Sequence, residues 1–66
     1  MSLVAKLSPR EREILLMLAD GLTGKAIATR LSLSPETVRT HLRNAMTKLR
    51  ARTRVQAVAM AVDGRH

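Results

Sequence analysis

Residues 34–43 have the sequence SPETVRTHLR, which contains the clearest helix start in the chain. Ser34 is a preferred N-cap residue, because its side-chain oxygen can accept a hydrogen bond from a backbone N–H of the first turn. Pro35 suits the first helical position, where its missing N–H would have no partner anyway, and Glu36 places an anion at the positive end of the helix dipole. The stretch therefore predicts a helix over residues 35–50.

The predicted helix has two faces of different chemistry. Apolar residues at helical spacing predict one face that packs against a core. These residues are Val38, Leu42, Ala45, Met46 and Leu49. Polar and basic residues fall largely elsewhere on the helical wheel, and they are Thr37, Arg39, Thr40, Arg43, Thr47 and Arg50. This combination is typical of a DNA recognition helix.

The charge distribution indicates a polyanionic partner. The chain carries a formal net charge of +7, and four of its five acidic residues, namely Glu11, Glu13, Asp20 and Glu36, lie in the first 36 positions. Residues 37–62 contain no acidic residue and six basic ones, namely Arg39, Arg43, Lys48, Arg50, Arg52 and Arg54. Such a region presents a positive field to nucleic acid. The absence of Phe, Trp and Tyr leaves no platform for base stacking, which disfavours single-stranded nucleic acid as the partner.

Composition also limits the class of protein. A chain of 66 residues forms one small domain, and it has no cysteine for disulfides or a thiolate zinc site. The two histidines, His41 and His66, are far apart, and no set of acid, base and nucleophile indicates an enzyme, so we expect no catalytic residue, cofactor or metal ion. No segment approaches the roughly 20 apolar residues of a membrane-spanning helix, and no signal peptide is recognisable, which predicts a cytoplasmic location without membrane contact.

Helix start and stop signals predict an all-α fold, a four-helix bundle with helices over residues 9–20, 24–31, 35–50 and 54–63. The short turn between the second and third helices forces a sharp angle, as in a helix-turn-helix motif. We expect this domain to cover residues 7–63, with residues 1–6 as a disordered or linker N-terminus and residues 64–66 as a frayed C-terminus.

Local motifs support each boundary. Ser8 and Glu11 are spaced as a capping box for the first helix, which Gly21 stops. Thr23 can cap the second helix, which we expect to pack through Ala26, Ile27 and Leu31. Thr53 and Gln56 are spaced as a second capping box, which starts the last helix.

Several blocks in fixed order resemble the DNA-binding domain of the LuxR/GerE type, the output module of NarL/FixJ-type response regulators and quorum-sensing regulators. The blocks are LSPRERE at 7–13, DGLTGKAIA at 20–28, SPETVRTH at 34–41, KL at 48–49 and RTRVQAV at 52–58. The resemblance covers nearly the entire chain. It implies the effector domain of a bacterial-type transcriptional regulator of a two-component system, which binds double-stranded DNA sequence-specifically.

The resemblance also implies which residues meet DNA, with the third helix in the major groove and the second crossing the backbone. The base-reading positions fall on Arg39, Thr40 and Arg43. An arginine fork can donate two hydrogen bonds to O6 and N7 of guanine, whereas Thr40 suits a thymine methyl or a base edge. Phosphate contacts, which fix register without reading sequence, are expected at Lys25, Thr37, Lys48, Arg52 and Arg54.

The last helix carries a second apolar stripe. It consists of Val55, Val58, Ala59 and Val62, which repeat at i, i+3, i+4 and i+7. The resemblance implies dimerisation through this helix. We therefore expect a homodimer that pairs along these residues and places two recognition helices in successive half-sites.

Ser32 and Arg50 depart from the pattern of the family, because they stand where relatives commonly carry glycine. We expect the left-handed backbone conformation to be less easily reached at both positions, and the loops there to differ in shape.

Two other classes of protein share parts of this pattern. A sigma-factor region 4-like module would contact RNA polymerase as well as promoter DNA, and RNA polymerase is a candidate partner in either case. The string at residues 53–57, TRVQA, favours the LuxR/GerE type. A basic amphipathic helix acting at membranes is disfavoured by the four capped segments and the distributed apolar positions.

Overall fold

The computed structural model describes residues 2–65. This part of the chain forms a short N-terminal 3-10 helix, Leu3–Lys6, followed by α1 (Pro9–Ala19), α2 (Gly24–Leu31), α3 (Pro35–Leu49) and α4 (Arg54–Asp63). The predicted all-α class and the four predicted helices are confirmed. Helices α1 and α3 are each one residue shorter than expected, because Asp20 and Arg50 are C-caps. No helix in the described residues is both long and apolar enough to cross a membrane.

A side-chain cap begins each α-helix. Ser8 Oγ accepts a hydrogen bond from Glu11 N at 3.1 Å, and Glu11 Oε1 accepts one from Ser8 N at 2.8 Å, which confirms the first capping box. Caps of this kind contribute about 1 kcal/mol each. Helices α2, α3 and α4 are capped by the side chains of Thr23, Ser34 and Thr53. In the last cap, Gln56 Oε1 accepts from Arg52 N rather than from Thr53 N, so the second box is shifted by one residue.

Helices α1, α2 and α3 end in the same backbone geometry. Each end has one residue with positive φ, and these residues are Gly21 at 93°, Ser32 at 56° and Arg50 at 55°. The N–H of the next residue donates to the carbonyl five positions earlier, as in the Schellman motif. These bonds join Leu22 to Met17 at 3.1 Å, Leu33 to Ala28 at 2.8 Å and Ala51 to Met46 at 3.0 Å. Ser32 and Arg50 thus reach the left-handed region that we expected to be less accessible, at a cost of roughly 1–2 kcal/mol for each non-glycine residue.

Two clusters of buried side chains form the interior. The larger joins the 3-10 helix to α1, α3 and α4, and it consists of Val4, Leu7, Leu15, Leu42, Ala45, Leu49, Ala57 and Ala61. The smaller joins α1, α2 and the start of α3, and it consists of Ile14, Ile27, Ala28 and Val38. Helix α3 contributes to both clusters, so its position is fixed from both sides.

The apolar stripe predicted for α3 is confirmed, since four of its members are buried and Met46 is half-buried. The prediction for α2 is wrong at one position, because Ala26 is exposed. The buried face of α2 is centred on Ile27 and Ala28. Leu31 follows at i+4 from Ile27 and shares that face, whereas Ala26 lies about 100° away from its edge.

Leu3–Lys6 form a 3-10 helix within the stretch for which the sequence predicts a disordered or linker segment. Val4, in the 3-10 helix, is 8% exposed and belongs to the larger cluster. It lies so close to Gly64 that a Cβ atom there would come within 2.8 Å of Val4 Cγ1. A segment of four residues is too short for a helical period to show in the sequence, and its burial depends on residues at the far end of the chain.

The predicted frayed C-terminus is only partly described. Gly64 N donates to Met60 O and Arg65 N donates to Val62 O, both at 3.1 Å, so a turn continues from α4. Met1 and His66 lie outside the described residues.

Candidate nucleic-acid interface

Helix α3 presents the predicted base-reading residues to solvent. Arg39, Thr40 and Arg43 are all exposed, while Val38 and Leu42 between them are buried. The two arginines stand four residues apart and are therefore neighbours on one side of the helix, one turn from each other. Because the buried stripe holds α3 against the rest of the domain, these side chains project from a fixed support.

The hydroxyl group of Thr40 has a partner within its own helix. Thr40 Oγ1 donates a hydrogen bond to the backbone carbonyl of Glu36 at 3.1 Å. A threonine hydroxyl has a single hydrogen to donate, so donation to a base edge would require this bond to break. The Thr40 methyl group remains available for a contact with thymine, and Oγ1 can still accept a hydrogen bond from a base amino group.

Four arginines line one shallow groove between α3 and the start of α4, which we call the arginine groove. They are Arg39, Arg43, Arg50 and Arg54, and the other lining residues are Leu42, Met46, Thr47 and Ala51. Arg39 and Arg54 also line an adjoining depression together with Lys25 at the start of α2. In the described part of the chain, neither depression is lined by an acidic residue.

The arginine groove concentrates positive charge without internal compensation. Over residues 2–65, the ion pairs made by arginine are Arg10 with Glu13 and Arg65 with Asp20, both outside the groove. Like charges at i and i+4, such as Arg39 and Arg43, repel by a few tenths of a kcal/mol, roughly 0.2–0.5. Binding of a polyanion would relieve this repulsion, so the groove has the electrostatics of an anion-binding surface.

Lys48, an expected phosphate contact, instead has a partner inside the protein. Its Nζ atom lies 2.8 Å from Oε1 of Glu11, which is 4% exposed. Burial raises the pKa of the Glu11 carboxyl, but hydrogen bonds from the Lys48 amine and the Ser8 backbone N–H outweigh burial, and the net pKa is lowered. The ion pair between Lys48 and Glu11 links α3 to α1. We therefore do not retain Lys48 among the proposed phosphate contacts.

The remaining expected phosphate contacts fall into two groups. Lys25 and Arg54 both line the depression beside the arginine groove. Thr37 and Arg52 do not line it. Thr37 is half-buried at the start of α3, where its Oγ1 lies 2.8 Å from Ser34 Oγ, and Arg52 is exposed in the turn before α4.

The predicted apolar stripe of α4 is largely separate from the face that α4 buries. The buried residues are Ala57 and Ala61. Val55 is 78% exposed and Val62 is 36% exposed. The other two stripe residues differ, since Ala59 is exposed whereas Val58 packs partly against the larger cluster.

Arg50 is not among the site residues predicted from the sequence, yet it lines the arginine groove. Arg39, Arg43 and Arg50 are separated by four and seven residues, spacings that repeat one side of a helix. This spacing was a signal for the shared face. On the sequence, Arg50 already falls on the polar face of the predicted helix over residues 35–50, but the resemblance implies no DNA contact for it.

The geometry of α2 and α3 is that of a helix-turn-helix with an exposed basic second helix, and comparison with known proteins agrees with it. Residues 5–61 match the family of bacterial regulatory proteins, luxR family. The chain belongs to this family. It is a DNA-binding effector domain of the kind found in bacterial transcriptional regulators, and the LuxR/GerE resemblance is confirmed.

Relatives include response regulator proteins and a transcriptional regulatory protein. The nitrate/nitrite response regulator protein NarL of Escherichia coli is 43% identical over 54 residues, which are 82% of this chain and 25% of NarL. The transcriptional regulatory protein FixJ of Azorhizobium caulinodans is 44% identical over 59 residues, 89% of this chain and 28% of FixJ. The nitrate/nitrite response regulator protein NarP of Escherichia coli is 42% identical over 59 residues, which are 89% of this chain and 27% of NarP. The chain thus spans about a quarter of the length of these relatives.

Proposed function

We propose that this domain binds double-stranded DNA sequence-specifically in the bacterial cytoplasm, with α3 in the major groove and Arg39 and Arg43 reading bases. The observation that carries this proposal is the pair of exposed arginines, one turn apart on a rigid helix, in a groove without acidic residues. Each arginine can donate two hydrogen bonds to O6 and N7 of a guanine, which contributes about 1–3 kcal/mol of discrimination. Thr40 lies between them and offers its methyl group.

Lys25 and Arg54 are the proposed phosphate contacts closest to the reading positions. Lys25 is at the start of α2 and Arg54 at the start of α4, and both border the same depression as Arg39. Phosphate contacts from α2 and α4 beside α3 would fix its depth and register in the groove. Thr37 and Arg52 are proposed to meet phosphates further along the backbone.

We also propose that α4 pairs two copies of the domain on DNA. Val55, Ala59 and Val62 supply the exposed apolar surface, and Val58 joins this surface to the core. A two-fold pairing would place two α3 helices in successive half-sites of an inverted repeat.

The experiment that tests the proposal is selection of binding sites from random duplex DNA, followed by a salt titration on the selected duplex. The native domain should enrich an inverted repeat, and log Kobs should fall linearly with the logarithm of salt concentration. An Arg39→Ala, Arg43→Ala variant should bind the selected and a scrambled duplex nearly equally. Arg10→Ala is a matched control, because Arg10 pairs with Glu13 on α1, and it should keep the preference. Salt-sensitive binding with no enriched sequence would refute sequence-specific recognition.

A further inference from the structure

Arg50 holds an unfavourable backbone conformation. It ends α3 with φ 55° and ψ 33°, in the left-handed region that side chains with a Cβ atom rarely adopt. Gly21 makes the same type of helix end for α1 without this cost. The turn after α3 therefore does not need an arginine, and the fold would be served better by glycine at this position.

The Arg50 side chain lies in the arginine groove. It lines the groove with Arg39, Arg43 and Arg54, and it is exposed. Its own backbone N–H donates within the helix end, to Thr47 O at 3.1 Å, so the backbone of the turn is satisfied without help from the side chain. The guanidinium group adds a fourth positive charge to a groove that already holds three.

We propose that Arg50 is an additional DNA-backbone contact, which binds a phosphate beside the bases read by Arg39 and Arg43. This inference rests on the proposed function. The guanidinium group can donate two parallel hydrogen bonds to phosphate oxygens, a geometry that lysine cannot reproduce. Ser32 ends α2 in the same left-handed conformation, so the strain shows only that folding does not favour the residue, and the position of the Arg50 side chain beside three other arginines is what points to binding.

A positive charge at a helix C-terminus also interacts favourably with the helix dipole. This structural role predicts a loss of stability when the charge is removed, with no change in DNA binding. The phosphate contact predicts a loss of binding even where stability is unchanged or higher. The two roles are therefore separable by measuring both quantities on the same variants.

The test uses three substitutions of Arg50 and the duplex selected by the native domain. Arg50→Gly removes the charge and the strain, Arg50→Met removes the charge and keeps the strain, and Arg50→Lys keeps both. Thermal unfolding should show Arg50→Gly to be at least as stable as the native domain. Binding should weaken about tenfold for the glycine and methionine variants and less for lysine, and the slope of log Kobs against log salt should fall by about 0.9 for the two neutral variants.

Arg10→Ala removes a charge that does not line the groove and is paired with Glu13, and it should leave the slope unchanged. If Arg50→Gly and Arg50→Met bind the selected duplex with native affinity and native slope, Arg50 makes no phosphate contact and the inference is wrong. If the native domain selects no duplex, the proposed function fails, a result visible before any Arg50 variant is made.

Discussion

Helices α3 and α4 each bury one aliphatic face but present different chemistry to solvent. The exposed side of α3 carries Arg39, Thr40 and Arg43, whereas α4 exposes Val55 and Val62. In both helices, the exposed side contains residues that the core does not require. The difference indicates two kinds of partner: a polyanion for α3 and an apolar surface, such as a second copy of the domain, for α4.

The largest expected effect is on the α3 side of this comparison. Arg39→Ala with Arg43→Ala should lower affinity for the selected duplex by about 100-fold or more, because each arginine contributes about 1–3 kcal/mol of base discrimination. The unfolding free energy should change by less than about 0.5 kcal/mol, since both side chains are exposed. Competition between selected and scrambled duplexes, with chemical denaturation as the control, measures both quantities. Retained discrimination would mean that other residues read the bases.

Lys48 sharpens the comparison, because it is a basic residue of α3 with a structural partner. Lys48→Met should destabilise the fold by about 1–3 kcal/mol, as it leaves the buried Glu11 carboxylate without its charged hydrogen-bond donor. The salt dependence of DNA binding should stay native under conditions where the variant is folded. Urea denaturation and the salt titration check the two outcomes. A smaller slope of log Kobs against log salt concentration in the variant would show that Lys48 does contact a phosphate.

The same ion pair gives a pH dependence with a definite sign. The pKa of Glu11 is lowered in the folded state from its ordinary value of 4.5, so its contribution to stability is fully present above that value. This contribution is lost as the pH falls through the lower folded-state pKa. Glu11→Gln should therefore lose less stability than the native domain between neutral pH and pH values below that pKa. If the unfolding free energies of the two proteins fall in parallel as the pH is lowered, Glu11 does not make this pH-dependent contribution.

On the α4 side, Val55→Glu should weaken cooperative binding to the inverted repeat about tenfold. A charge in the proposed dimer contact would have to be desolvated or would open the contact. Val55 is 78% exposed, so the monomer fold should be unaffected, whereas a change at the half-buried Val58 would also disturb the core. Binding to a single half-site should remain native. Unchanged cooperativity in this variant would remove α4 from the dimer proposal.

The smallest expected effect concerns Thr40. Thr40→Ser should weaken binding about fourfold, since one buried methyl contributes about 0.8 kcal/mol, while Thr40→Val should bind at least as well as threonine. This order is expected if the methyl group is the contact, since the hydroxyl hydrogen is donated to Glu36 O and the oxygen is left only as an acceptor. Fluorescence titrations of the two variants distinguish the methyl from the hydroxyl as the contacting group. Weaker binding by the valine variant would favour hydrogen bonding by Thr40.

The sequence was sufficient for features that depend on neighbouring residues. The caps at Ser8, Thr23 and Ser34 are local, and the apolar period of α3 shows directly which side is exposed. That period was enough to separate Arg39 and Arg43 from the core.

Other features depend on residues that only the fold brings together. Lys48 and Glu11 are 37 positions apart, so the lysine was indistinguishable from a free surface charge. Val4 packs against Gly64 at the other end of the chain. The left-handed backbone of Arg50 is imposed by the helix end, against the preference of its own residue type.

The central claim is that Arg39 and Arg43 read guanines in the major groove, and replacement of guanine by 7-deazaguanine in the selected duplex tests it most directly. This change removes the N7 acceptor while leaving base pairing in place. Deaza substitution at the contacted guanine should weaken binding by the native domain about tenfold or more, and it should have little further effect on the corresponding Arg39→Ala or Arg43→Ala variant. Equal losses for the native domain and both variants, or no loss at any guanine, would contradict the central claim.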